Sequence, residues 1–295
     1  MSKNEAWKTY WEAHSNNTFG EQYSADAGIG RVIAPLFAEA FQNIDDKAAV
    51  LDLGSGSGDS IKFLRSLCPA ATNVEFVGVD YAIEQDLKLN EVDKVIPGNI
   101  EELPFKVPIF KAVTSLFAIE YADPQRVLSS LKSVSHSPSD WLFVVHTSDS
   151  VISTKSKNTI SVYESLFNSL IEDKISNQIG ATYRKEVESH FLGWFKRSVQ
   201  TMPELKHYDL HLIARQYQQC FQSTSFDDVQ SLRAKLEYVT QLLKNHQQIL
   251  RAQLSAASNA AELSIQLQQE ELRIITNHAF SAGGQKIGQF LHIQH

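Results

Sequence analysis

The run Val50-Leu51-Asp52-Leu53-Gly54-Ser55-Gly56-Ser57-Gly58, followed by Ile61, Leu64 and Leu67 at helical spacing, constrains this chain more than any other segment. It reads as a β-strand, a glycine-rich turn and a helix. Glycines there let the backbone turn sharply and approach a ligand with no Cβ in the way, and the helix behind them offers free N–H groups. Such a loop cradles a phosphate or a nucleoside. Its glycines fall at the first, third and fifth positions rather than in the G-x-G-x-x-G spacing of dinucleotide sites, and Asp52 stands just before them. A carboxylate at that place repels a pyrophosphate but attracts the ammonium of an amino-acid ligand, directly or through water. The pattern favours a nucleoside with a cationic amino-acid tail.

The surroundings of this loop alternate short apolar runs with helix or turn signals, as expected of βα units building a parallel sheet. The strands predicted are Ala49–Leu53, Val74–Val79, Lys94–Ile96, Ala112–Leu116 and Trp141–His146. Ile29 to Phe41 has helical apolar spacing, and residues 1–47 are expected to form an N-terminal helical cap on a 48–150 core. After Ser148 strand signals thin out until Ile287–Ile293, behind the turn Ala282-Gly283-Gly284, so 151–272 reads as a helical insertion and 273–295 as strands completing the sheet. Within the insertion Val229, Leu232, Leu236, Val239, Leu243 and Leu250 form a narrow apolar seam. It serves either an amphipathic helix packed on its own chain or a homodimer. Ala256 to Leu272 is expected to fold back on it as the second arm of an antiparallel hairpin.

The strand Val74–Val79 ends in Asp80, about 22 residues beyond Gly58 and near the spacing of a ribose-binding acid. With Gly98-Asn99-Ile100-Glu101-Glu102-Leu103-Pro104-Phe105 and the strand from Phe110 to Tyr121, these segments resemble, in order, the motifs of the class I S-adenosylmethionine-dependent methyltransferases. The resemblance covers about half the chain. It implies an α/β, Rossmann-like, seven-stranded, mostly parallel sheet and S-adenosylmethionine as cofactor, contacted by Asp52, Gly54, Ser55, Gly56, Gly58, Asp80, Tyr81, Asn99, Ile100, Leu116 and Phe117. Asn99 replaces the family's usual Asp, and its amide oxygen is expected to accept from the adenine amino group. Lys111 replaces an acid at the start of the fourth strand, a change expected at the surface.

Methyl transfer from a sulfonium is an in-line displacement needing positioning and exclusion of water, sometimes with removal of a proton. His146, at the end of the fifth strand, is the candidate base; its bland alternative is a histidine that only shapes the pocket. Tyr121 and Tyr23 are candidates for orienting the acceptor. The acceptor is expected to be a small molecule methylated on oxygen or nitrogen, with natural-product tailoring as a narrower guess. Trp7, Tyr10 and Trp11 belong either to a hydrophobic cap or to a lid, and His190, His207 and His211 read as surface groups, so no metal is implied. A formal charge of −7 argues against a nucleic-acid partner. Two cysteines and no long apolar run suggest a soluble, cytoplasmic protein without a membrane partner. Two rival readings remain, an NAD-dependent oxidoreductase and a non-catalytic scaffold pairing through its insertion.

Overall fold

The computed structural model describes residues 28–42, 44–45, 47–68, 73–170, 181–201, 208–225, 228–270 and 272–295. The chain divides into two compact units, one formed by the residues up to Thr154 together with Ala252–His295, the other by Lys155–Arg251. The aromatic residues Trp7, Tyr10, Trp11 and Tyr23 lie outside the described residues.

The first unit is built on a mixed sheet of eight strands: β1 (Ala49–Leu53), β2 (Glu75–Asp80), β3 (Leu87–Lys88), β4 (Lys94–Pro97), β5 (Phe110–Leu116), β6 (Ser135–Val145), β7 (Arg273–Ala282) and β8 (Gln285–Gln294). Their order is β3-β4-β2-β1-β5-β6-β8-β7. β4, β2, β1, β5 and β6 run parallel, whereas β3, β8 and β7 join antiparallel. The seven-stranded expectation is therefore corrected by one strand, the two-residue β3 on the outer edge of β4. The chain moves outward from β1 to β2 and β4, then crosses back to β5 on the other side of β1. In sheets wound this way a crevice opens at the carboxyl ends of the strands where the order reverses, here β1 and β5.

Both faces of the parallel strands are covered, which is why they read as continuous apolar runs. Val50, Phe76, Leu142 and Val144 face one buried layer with Ile33 and Phe37 of α1 (Gly28–Phe41) and Phe63 of α2 (Asp59–Leu67). Leu51, Leu53, Trp141 and Phe143 face the other, with Val127 and Leu131 of α3 (Pro124–Val134). That alternation is the period of two of a β-strand. Phe37 is wholly buried and anchors α1, its ring 5.4 Å from Phe290 and 6.4 Å from Phe63.

The remaining helices are α4 (Val151–Leu170), α5 (Ala181–Thr201), α6 (Tyr208–Gln222) and α7 (Val229–Gln269). The expected hairpin of two helices over 229–272 is instead the single helix α7. The reason is legible afterwards: neither Gly nor Pro occurs between Val229 and Gln269, and Arg251 to Ala256 are mostly good helix formers. Ala260, Leu263 and Leu267 of α7 join the second buried layer of the sheet. In the unit 155–251, Phe191 stacks on Tyr217 at 4.8 Å, and the Trp194 indole donates to Ser165 Oγ at 3.2 Å. The Arg184 guanidinium donates to the carbonyls of Phe221, Thr224 and Ser225, closing the end of α6.

Leu232, Leu236, Val239 and Leu243 are buried by the chain itself, so these four seam residues belong to this unit's own packing. Among the described residues no helix is long and apolar enough to cross a membrane. The register of α7 gives a direct test by denaturant unfolding. Leu232→Ala, at a side chain 1% exposed, is expected to cost about 2–5 kcal/mol, whereas Tyr238→Ala, at one 66% exposed, should stay within about 0.5 kcal/mol. Equal losses would show the helix to be rotated.

Candidate cofactor-binding site at the ends of strands β1, β2 and β5

The glycine-rich loop leaves β1 at the strand-order reversal. Gly54, Gly56 and Gly58 have φ of 67°, 51° and 83°, a left-handed backbone that side chains disfavour. Space is as restrictive as torsion, because a Cβ on Gly54 would lie 2.3 Å from the Cβ of Ala118 in the turn after β5. The loops after β1 and β5 therefore touch, and only glycine fits between them.

Asp80 gathers this edge of the sheet. It is 6% exposed; Oδ2 accepts from the N–H of Gly56 at 2.8 Å and Oδ1 from that of Ala82 at 2.7 Å. Its main-chain carbonyl accepts from Gly98 N–H at 3.0 Å, which ties in the segment leading to Asn99. Burial pushes the Asp80 carboxyl above its usual range, against the pull of the two backbone N–H groups. Each carboxylate oxygen keeps a second lone pair, so the group can accept from ligand hydroxyls while it still holds the loop.

Asp52 has a different place from the one its sequence position suggested. It is wholly buried, its Oδ2 accepting from Ser60 Oγ at 2.6 Å and its Oδ1 from Thr114 Oγ1 at 2.7 Å. Burial lifts its carboxyl to about 6, opposed by these hydroxyls and reinforced by the charge of Asp80. Direct attraction of a ligand ammonium is thus corrected to a bracing role, in which Asp52 joins β1 to the first turn of α2 and to β5. Ser55 supports the same turn, donating from Oγ to the Asp52 carbonyl at 2.8 Å.

The other motif residues are distributed along the same edge. Tyr81 is 58% exposed next to Asp80, and Ile100 is half-buried. Asn99 Oδ1 accepts from the Glu101 N–H at 3.0 Å, so the oxygen expected to meet an adenine amino group is already engaged in a local turn. Leu116 and Phe117 are buried; Phe117 has φ of 56°, the sole non-glycine at positive φ among the described residues, and its N–H donates to the Val144 carbonyl at 2.7 Å. Lys111 is exposed at the start of β5, as expected. His190 is exposed, while His207 and the side chain of His211 lie outside the described residues.

His146 lies just past the end of β6, and its surroundings bear on its expected role as a base. The ring is 1% exposed, with Nδ1 2.8 Å from Glu120 Oε1 and Nε2 2.7 Å from the carbonyl oxygen of Gln253 on α7. A carbonyl only accepts, so Nε2 carries a hydrogen. Burial alone would lower the pKa of this histidine, but the Glu120 hydrogen bond and charge overcome it and raise the value above the ordinary 6.5. Both ring nitrogens are thus engaged within the protein, one by a carboxyl group and one by a backbone carbonyl. The half-buried ring of Tyr121 lies 5.8 Å from that of His146. Glu120 was missed from sequence, although an acid directly behind the apolar run Leu116–Ile119 is the kind of signal that marks a buried polar group in need of a partner.

Residues 51–137 match the family model described as a methyltransferase domain. No functionally curated protein matches the chain significantly by sequence. Among solved structures, the complex of the Trm112 methyltransferase activator with a methyltransferase from Haloferax volcanii aligns at 20% identity and TM-score 0.36, over 48% of this chain and 60% of that one. The geranyl diphosphate C-methyltransferase of Streptomyces coelicolor aligns at 14% identity and TM-score 0.37, over 50% and 65%. A protein of Galdieria sulphuraria described as a sarcosine dimethylglycine methyltransferase aligns at 12% identity and TM-score 0.38, over 91% and 85%. The chain thus spans less than two thirds of the length of the first two. The segment that holds the glycine loop, Asp80 and the end of β5 is thus similar to a methyltransferase domain.

Proposed function

We propose that this protein binds S-adenosylmethionine on the loop 54–58 and Asp80, and transfers its methyl group to an oxygen or nitrogen of a small-molecule acceptor. The observation that carries this reading is the junction of Gly56 with Asp80: a left-handed glycine turn held at hydrogen-bond distance from a buried carboxylate, at the strand-order reversal. The cradle fits the cofactor's chemistry, since glycines leave room for a flat nucleoside and Asp80 retains acceptor capacity for ribose hydroxyls. S-adenosylmethionine, when bound, supplies an electrophilic methyl on a positively charged sulfur.

The protein's share of the reaction is then placement. The loop and Asp80 fix the nucleoside, while Leu116 and Phe117 present an apolar surface at the carboxyl end of β5. Tyr121 is the residue we assign to orienting the acceptor, beside His146. With no free nitrogen on His146, rate enhancement rests on alignment and on exclusion of water rather than on that residue as a base. The net charge of −7 fits a small acceptor better than a polyanion. Tailoring of a natural product is the narrower form of this proposal.

Calorimetric titration with S-adenosylhomocysteine tests the cofactor site. Asp80→Asn, which keeps one oxygen acceptor but removes the charge, is expected to weaken binding by about 1.5–3 kcal/mol. Saturable binding unchanged in that variant would move the site elsewhere, and no binding by the wild type would end the methyltransferase reading.

Gly54→Ala should lower stability by about 1–2 kcal/mol or more and weaken the same ligand, because the new Cβ meets Ala118 and the backbone is left-handed. A folded variant with wild-type affinity would show the loop to be tolerant and remote.

His146→Gln gives a test by pH. A raised folded-state pKa stabilises the protein fully below about pH 6.5 and loses that contribution as the pH climbs through the folded value. The stability gap between wild type and variant should accordingly be largest near pH 6 and shrink towards pH 9, as measured by thermal melting across that range. A gap that is constant or widens would mean that His146 is neutral in the fold and restore it as a candidate base.

A further inference from the structure

The unit 155–251 contains a cavity of roughly 420 Å³, lined by none of the motif residues named above and within the size range of small-molecule sites. Its inner wall is apolar and aromatic: Phe167, Tyr183, Tyr217 and Leu236 are all buried. Its exposed rim carries Glu237, Gln241 and Lys244, and Arg233 lines it beside Tyr183.

Aromatic walls next to charge could suit either sign of ligand, and the ring faces decide between them. The face of an aromatic ring is its negative part and the edge its positive part. Here the Arg233 guanidinium sits 4.5 Å from the centre of the Tyr183 ring and Lys244 Nζ 5.9 Å from that of Phe167. Tyr217 is stacked on Phe191 and its hydroxyl is bonded to Thr240 Oγ1 at 2.9 Å. A face of each ring is thus already spent on a partner from the protein itself, two of those partners being cations. An incoming ammonium would compete with both cations for the same faces. An anion with a flat body meets two positive groups against the single carboxylate of Glu237, and apolar surface behind them.

We propose that the helical unit is a binding module for a small organic anion with a flat apolar body, such as an aromatic carboxylate, whose charge is met by Arg233 and Lys244 and whose ring system enters between Phe167, Tyr183 and Leu236. This site does not depend on the cofactor assignment, and its test uses neither S-adenosylmethionine nor activity.

The full-length protein is titrated by calorimetry with 2-naphthoate and, separately, with 2-naphthamide, which has nearly the same shape and no charge. We expect saturable binding of 2-naphthoate in the sub-millimolar range and at least about fivefold weaker binding of the amide. Lys244→Met should weaken 2-naphthoate about threefold and Lys244→Glu about tenfold or more, with the amide unaffected by both. Lys244 is an exposed rim residue, so these variants keep the fold; a melting curve matching wild type confirms it for each. Absence of saturable 2-naphthoate binding, equal affinity for acid and amide, or an unchanged 2-naphthoate affinity in folded Lys244→Glu would each overturn the proposal.

Discussion

The carboxylate of Asp80 is the interaction on which the candidate site depends. A glycine turn with three left-handed residues has many conformations open to it, and glycine loses more freedom on ordering than any other residue. What selects one of them is a buried acceptor offering an oxygen to Gly56 and another to Ala82, at the end of a strand locked between two neighbours. That position has an electrostatic cost, since burial penalises the charged form more than the two N–H groups relieve it and pushes the carboxyl above its usual range. A ligand that donates further hydrogen bonds to this carboxylate would ease that penalty, so its affinity and the order of the loop would draw on one group.

Asp52 lies behind that arrangement as a second buried acid. The two carboxylates repel, and Asp52 is kept inside by hydroxyls from Ser60 and Thr114 rather than by a cation. Hydroxyls adjust to either protonation state, donating to a carboxylate or accepting from a carboxylic acid. The brace between β1, α2 and β5 is therefore able to persist whether Asp52 is ionised or protonated.

Much of this was legible in the amino-acid order. The strand-turn-helix around Gly54, the acid at Asp80 and the succession of β-strands follow from local pattern, although β6 starts six residues before the predicted Trp141 and ends at Val145, short of His146. Asp52 shows where such reading stops short. Strand parity places it on the face of Val50, the face that α2 covers, and using that alternation would have buried it; its spacing to the glycines alone suggested a ligand contact. His146 was beyond local reading, because its state is set by Glu120, 26 residues away, and by a carbonyl 107 residues away in another helix. The continuity of α7 was readable from the absence of Gly and Pro, and the apolar pattern simply did not require the break assigned to it.

The position of the helical segment between β6 and the last two strands has a consequence in time. Asp140 on β6 and its partner His292 on β8 are separated by 152 residues, and β8 is the only neighbour of β6 on that side of the sheet. At roughly 5–20 residues per second, a ribosome needs about 8–30 s to deliver β8 after β6 has emerged. Throughout that interval β6 is an open sheet edge rich in Trp141, Phe143 and Val145, the kind of strand that recruits foreign chains. The yield of native protein is therefore set by a race between elongation and aggregation, and slower synthesis, which usually helps folding, would here lengthen the exposed period.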